Sequence, residues 1–237
     1  MTPKWGGTPA SLPASLIVFD MDGVLVDVRA SFRVAIARTV EALGGGVATP
    51  GEIAGMKAEG GYNNDWDLSR ELLRRRGREV PLAQVIEVFN RFYLGPKLDG
   101  CGGLIQEETW LLPLPLLTAL GERHRLAIFT GRPRADAFYT LRHFGVEAAF
   151  ADLVALEDVP RQKPDPAGLL DLARRHAPLP LAAYVGDTVD DARCAAAAGV
   201  AFHAIAADAA ADGPHFQALG CERIWPGVAA IVQSLLA

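Results

Sequence analysis

Short apolar runs that stop abruptly at a polar residue alternate with longer stretches of helical period along most of the chain. Leu16, Ile17, Val18 and Phe19 form the first run and end at Asp20. Leu126, Ala127, Ile128 and Phe129 end at Thr130. Leu153, Val154 and Ala155 form a third run, residues 182–185 end at Gly186 and Asp187, and residues 201–205 form a fifth. Continuous apolar runs of this length, bounded by turn residues, predict strands buried on both faces. Between them the spacing predicts helices near 114–122, 135–144, 169–175, 190–198 and 228–236, with Gly199 as a stop. Strand and helix in strict alternation predict an α/β fold, a doubly wound parallel sheet with helices on both faces.

Residues 28–104 have a different texture. Phe32, Ala35, Ile36, Val40 and Leu43 carry helical spacing up to the glycines at 44–46. Thr49, Pro50 and Glu52 read as a capping box with proline at the first helical position. Gly60 and Gly61 end that helix, Asn63, Asn64 and Asp65 can cap another running to about Arg76, and residues 81–94 make a fourth before a glycine-rich return at 95–103. The expected division is therefore a core of residues 1–27 and 105–237 with a small α-helical domain, 28–104, inserted into it.

Composition narrows the partners. The chain has 237 residues, 50% of them hydrophobic and 22% charged, which is enough to bury a sizeable core. A net charge of -5 argues against nucleic acid or an anionic membrane, either of which favours a basic face. Arg74, Arg75, Arg76 and Arg78 read as a solvated helix end. Cys101, Cys194 and Cys221 are odd in number and far apart, so neither a disulfide framework nor a zinc site is expected, and the compartment is expected to be reducing and cytoplasmic. Residues 1–15 read as a flexible lead-in rather than a signal peptide, no apolar run is long enough to cross a bilayer, and a monomer is expected. The five histidines show no metal-ligand spacing.

The polar residues at the ends of the apolar runs carry the chemistry. In an open parallel sheet the carboxyl ends of the strands share one edge, so Asp20, Thr130 and Asp187 are expected to meet there, joined by Lys163 from a loop. Asp20 and Asp22 stand two positions apart and Gly23 allows a sharp turn behind them. Phosphoryl transfer through an aspartyl phosphate uses every one of these groups. Asp20 is the candidate nucleophile. Asp22 is the candidate acid that protonates the leaving oxygen and then activates water. A hard divalent cation, magnesium, is expected on the Asp20 and Asp187 carboxylates and the Asp22 backbone carbonyl, with Asp191 completing or orienting the shell. Lys163 is expected to neutralise remaining charge, and the Thr130 hydroxyl with nearby N–H groups to bind phosphoryl oxygens. The bland alternatives are a turn or a calcium loop, but EF-hand spacing fails because glycine stands fourth from Asp20. Asp190 reads as helix capping.

In order along the chain, Asp20-Met21-Asp22-Gly23-Val24, Thr130-Gly131-Arg132, Lys163-Pro164 and Gly186-Asp187 with Asp191 resemble the four motifs of the haloacid dehalogenase superfamily, subfamily I. The resemblance covers residue 16 to about 205. It implies a Rossmannoid core and identifies 28–104 with a C1-type cap, which in that family closes over the site, excludes water and chooses the substrate. Aspartate at position 22 implies the phosphatase and phosphomutase branches. The expectation is magnesium-dependent hydrolysis of a small phosphorylated metabolite, with a sugar phosphomutase or a catalytically silent binding module as alternatives. Gly131 and Arg132 are read as substrate contacts, the alternative for Arg132 being an ion pair with a surface acid. Asn63 and Asn64 have two readings, a specificity loop or a helix cap, while Tyr62 and Trp66 are expected to pack within the cap.

Overall fold

Four-residue runs without a polar position suit strands that have no solvated face, and the computed structural model, which describes residues 13–62, 64–206, 213–221 and 223–237, builds them so. The elements in chain order are β1 (Leu16–Phe19), β2 (Val26–Asp27), α1 (Phe32–Ala42), α2 (Pro50–Glu59), α3 (Asp65–Arg75), α4 (Leu82–Tyr93), β3 (Thr109–Trp110), α5 (Leu114–Arg123), β4 (Arg125–Phe129), α6 (Arg134–His143), β5 (Asp152–Val154), α7 (Ala167–Arg175), β6 (Leu181–Gly186), α8 (Val189–Ala198), β7 (Phe202–Ile205), α9 (Gly213–Ala218), β8 (Ile224–Trp225) and α10 (Val228–Leu236). Most of the lead-in expected over residues 1–15 lies outside the described residues.

Six strands form one sheet in the order β5-β4-β1-β6-β7-β8, and every pairing in it is parallel. The chain builds outward from β1 to one side through β4 and β5, then crosses to the other side through β6, β7 and β8. That reversal opens a crevice at the carboxyl ends of the central strands. Alternate residues of the strands point to opposite faces. Leu16, Val18, Ala127, Phe129, Val154 and Tyr184 share a buried cluster with Leu169 and Leu172 of α7 and Cys194 and Ala195 of α8. Ile17, Phe19, Leu126 and Ile128 point the other way and are equally buried. α5 packs against β4 and α10.

The chain divides into two compact units, one of residues up to Val26 with Trp110–Ala237, the other Asp27–Thr109. In the second unit α1 packs on α3 and α4. The Phe32 ring stacks on Tyr93 at 4.2 Å and on Phe89 at 5.9 Å. Buried Glu108 accepts hydrogen bonds from Ser31 Oγ (3.1 Å) and Tyr93 Oη (3.0 Å), so its burial is compensated. α2 starts with the Thr49/Glu52 capping box read from the sequence.

The structure departs from expectation in places. The first residues of the inserted stretch are not helical: Arg29 turns back to the Asp27 carboxylate and the Ser31 N–H bonds to the Val28 carbonyl, so α1 begins at Phe32. Arg74, Arg75 and Arg76 form a paired surface network with Glu71, Glu59 and Glu52, not a purely solvated end. Exposed pairs of this kind contribute little each. Among the described residues no helix is long and apolar enough to cross a membrane.

Gly168 in α7 lies so close to β4 that a Cβ there would meet the Phe129 ring at 2.4 Å. Gly168→Ala therefore overpacks the core, and its urea-unfolding free energy should fall by about 1–3 kcal/mol. A change within about 0.5 kcal/mol, the range of ordinary surface substitutions, would contradict this packing.

Candidate active site

The first strand does not release its chain cleanly. The Asp20 N–H still donates to the Val185 carbonyl at 2.8 Å, which keeps Asp20 tied to β6. A tight loop follows, with the Leu25 and Val26 N–H groups donating to the Met21 carbonyl and the Gly23 N–H to the Val26 carbonyl, each at 2.9 Å. Gly23 has φ 73°, and a Cβ there would lie 1.8 Å from Asp187 Oδ2. Only glycine both adopts this backbone and lets the two loops approach so closely. β4 ends in the same way, the Thr130 N–H donating to the Val154 carbonyl at 3.0 Å.

Lys163 organises the charges. Its Nζ is buried and lies 2.9 Å from Asp20 Oδ1 and 2.7 Å from Asp191 Oδ1, and it also donates to the Tyr184 hydroxyl at 3.0 Å. Asp191 is satisfied on both oxygens. Oδ1 accepts from Lys163 and from Tyr184 Oη (2.6 Å), while Oδ2 accepts from the Thr188 N–H (3.1 Å) and hydroxyl (2.6 Å), closing the capping box of α8. Burial works against the Lys163 charge, but Asp191 and Asp20 outweigh it and raise the ammonium pKa. For Asp191, burial alone would push the carboxyl up; the Lys163 ammonium and the Thr188 and Tyr184 donors hold it below the ordinary range. Asp20 goes the other way. Burial, with Asp191 and Asp22 adding repulsion that Lys163 only partly offsets, pushes it up to about 7.

One carboxylate oxygen from each of Asp20, Asp187 and Asp191 lies within 4.8 Å of the others, a spacing that suits a cation. All these donors are hard oxygens, the set that magnesium prefers. Burial first, and then repulsion from Asp191 and Asp22, leave the Asp20 charge under-compensated by Lys163, so a dication fits the residues present.

The structure brings Asp20, Asp187, Asp191, Thr130 and Lys163 to one edge of the sheet, with Gly131 in the loop beside buried Thr130. The Asp22 side chain is not in the acidic triad; it pairs with Arg132 at 2.5 Å. The Arg132 side chain is 0% exposed, pairs with Asp22 and donates to the Thr140 hydroxyl, an arrangement closer to its ion-pair reading than to a substrate contact. Asn64 caps α3, accepting from the Trp66 N–H (2.9 Å) and Asp67 N–H (3.4 Å), which is the second of its two readings. Asn63 lies outside the described residues. Sequence reasoning missed Tyr184 and Thr188. A tyrosine inside an otherwise apolar strand was the available signal, since a buried hydroxyl needs a partner.

Residues 14–199 match the family model described as haloacid dehalogenase-like hydrolase. The chain is 37% identical over 186 residues to an imidazoleglycerol-phosphate dehydratase of Phytophthora nicotianae, a match that takes in 76% of this chain but spans only 40% of that protein. It is 28% identical over 204 residues to a plasmid-encoded phosphoglycolate phosphatase of Cupriavidus necator, covering 80% of each. Among solved structures, a haloacid dehalogenase-like protein of Bacteroides fragilis superposes with a TM-score of 0.73 at 24% identity, over 92% of this chain and 99% of that one.

The electrostatics carry a stability consequence. The folded protein holds the Asp20 proton more tightly than the unfolded chain, whose value is 3.8, so Asp20 favours the fold at acid pH and loses that contribution as pH rises toward 7. Without divalent cation, Asp20→Asn should be more stable than the parent at pH 8, by about 2–4 kcal/mol, with the gap narrowing toward pH 4. Urea titrations in EDTA read this directly. A gap that does not change with pH would contradict the raised proton affinity.

Proposed function

The chain belongs to the haloacid dehalogenase-like hydrolases and is a phosphatase of that family, and from this premise we propose that it hydrolyses a small phosphate monoester through an aspartyl phosphate on Asp20. The observation that carries the reading is the meeting of Asp20, Asp187 and Asp191 at a spacing that suits a cation, with Lys163 buried between two of them. A structural protein gains nothing from such a concentration of buried charge, which is costly to desolvate.

In the proposed reaction a carboxylate oxygen of Asp20 attacks phosphorus. An O–P bond forms, the ester O–P bond breaks, and Asp22 gives its proton to the departing alkoxide. A water molecule then gives up a proton to Asp22 and attacks the phosphorus of the aspartyl phosphate. The carboxylate of Asp20 is restored and inorganic phosphate leaves. Lys163 neutralises charge beside Asp20, and the Thr130 hydroxyl with the Gly131 N–H serves the phosphoryl oxygens as charge redistributes. Magnesium, held by Asp20, Asp187 and the Asp22 backbone carbonyl with Asp191 orienting that shell through Lys163, would supply the positive charge that lets one anion attack another.

Residues 28–104 are read as a C1-type cap that selects the substrate. Their place between the first two motifs and the separate core of the Asp27–Thr109 unit support this. The phosphatase relatives are named for phosphoglycolate, which makes it the first substrate to try.

Phosphate release should be measured from phosphoglycolate, sugar phosphates, nucleotides and an aryl phosphate, with magnesium or with EDTA. Release is expected only with magnesium, and Asp20→Asn should lower it by at least about 10³-fold. Asp187→Asn should remove the rise in melting temperature that magnesium gives the parent, about 2.7 kcal/mol of stabilisation at a hundredfold excess over Kd. Undiminished activity in EDTA, or a magnesium response that survives in Asp187→Asn, would contradict the proposal.

A further inference from the structure

Among the described residues, Arg132 is the one buried cation of the crevice that the reaction as written does not use. Its side chain has 0% exposure, whereas the side chain of its partner Asp22 retains 29%. A guanidinium with no accessible surface has nothing to offer an incoming ligand, but the carboxylate it holds does. The contact is one-sided. Arg132 Nε and Nη2 both lie 2.5 Å from Oδ1 of Asp22, and among the described residues no hydrogen bond reaches Oδ2.

The arginine is itself held from several directions. Its Nη1 donates to Thr140 Oγ1 on α6 at 2.8 Å. Its backbone N–H donates to Thr130 Oγ1 at 3.2 Å, and its carbonyl accepts from the Leu156 N–H at 2.9 Å. The planar fork of arginine, fixed this way, holds one carboxylate oxygen at two points, a geometry that a lysine ammonium does not reproduce.

We infer that Arg132 is a positioning residue that clamps Oδ1 of Asp22 and thereby presents Oδ2 to the leaving-group oxygen and then to water. This rests on the phosphatase reading and on Asp22 as its proton donor. It assigns Arg132 no contact with the substrate. The clamp spans two loops far apart in sequence, the one after β1 and the one after β4, so it ties the placement of the acid to the loop that carries Thr130.

The test compares the parent with Arg132→Lys, Asp22→Asn and the double variant on two magnesium-dependent reactions, one with a poor alkyl leaving group (phosphoglycolate) and one with a good leaving group (para-nitrophenyl phosphate). A misplaced proton donor matters most where the leaving group most needs a proton. Arg132→Lys should lower kcat/KM for the alkyl ester by about 10–100-fold and for the aryl ester by about threefold or less. The inhibition constant of inorganic phosphate should stay within about twofold, because bound anion does not touch Arg132. In the Asp22→Asn background the Arg132→Lys change should cost nothing further. Thr140→Val, which loosens the fork without removing its charge, should show the same leaving-group pattern at smaller amplitude, and it stands in if Arg132→Lys does not fold. Equal losses on both esters, a further loss in the Asp22→Asn background, or a tenfold weaker phosphate inhibition would each overturn the inference. Asp22→Asn shows whether the failure is deeper. If it lacks the leaving-group dependence, Asp22 is not the proton donor, and if the parent releases no phosphate the phosphatase reading fails and takes this inference with it.

Discussion

One buried ammonium governs the crevice. Lys163 lies between Asp20 and Asp191, and neither carboxylate tolerates burial alone, because an uncompensated charge in a protein interior costs several kcal/mol. Much of the surrounding detail follows from satisfying that group. The Tyr184 hydroxyl and the Thr188 cap occupy the remaining lone pairs of Asp191, so that this residue is fixed, ionised and spoken for on both oxygens. Among the described residues the Asp20 carboxylate pairs only with the ammonium, and burial, with repulsion from Asp191 and Asp22, raises its proton affinity. One aspartate is thereby locked as scaffold, while the other keeps the less compensated carboxylate that the proposed nucleophile calls for.

The sheet converts distant sequence into this arrangement. Placing β1 between β4 and β6 puts the residues that follow those three strands side by side at one edge. The backbone must then leave the sheet without filling the crevice. Gly23 does this at the point where the Asp187 carboxylate lies against the chain, and any side chain there would occupy the carboxylate's place. Stability is spent on the site elsewhere too, since the burial and like charges around Asp20 oppose the fold above neutral pH. That opposition is the usual relation between an active centre and the scaffold around it.

Much of this was legible in the chain before any coordinates. Runs such as Leu16 to Phe19 had no polar position, which left buried parallel strands as their reading, and the rule that parallel strands end on one edge then gathered Asp20, Thr130 and Asp187. The Thr49/Glu52 box follows from local hydrogen bonding alone, so it too was visible, while the cap at Asn64 was one of two open readings. What was hidden depends on tertiary contact. β2, β3 and β8 are two residues each and have no period to detect. Arg132 gave no sign of its partner, because Asp22 lies 110 positions away and nothing local distinguishes a buried clamp from a substrate contact. Tyr184 hid for the same reason, being an acceptable strand former whose hydroxyl acquires meaning only beside Asp191.

The central claim is that the phosphoryl group passes through Asp20. Turnover of a cleaved substrate with magnesium, stopped in acid within milliseconds and followed by peptide mass spectrometry, tests it most directly. The account predicts a peptide containing Asp20 that carries one added phosphoryl mass, lost on treatment with hydroxylamine and absent from Asp20→Asn. Phosphate released at full rate with no phosphoryl group on that peptide at any quench time would mean that water attacks the ester directly, and the covalent route would be wrong.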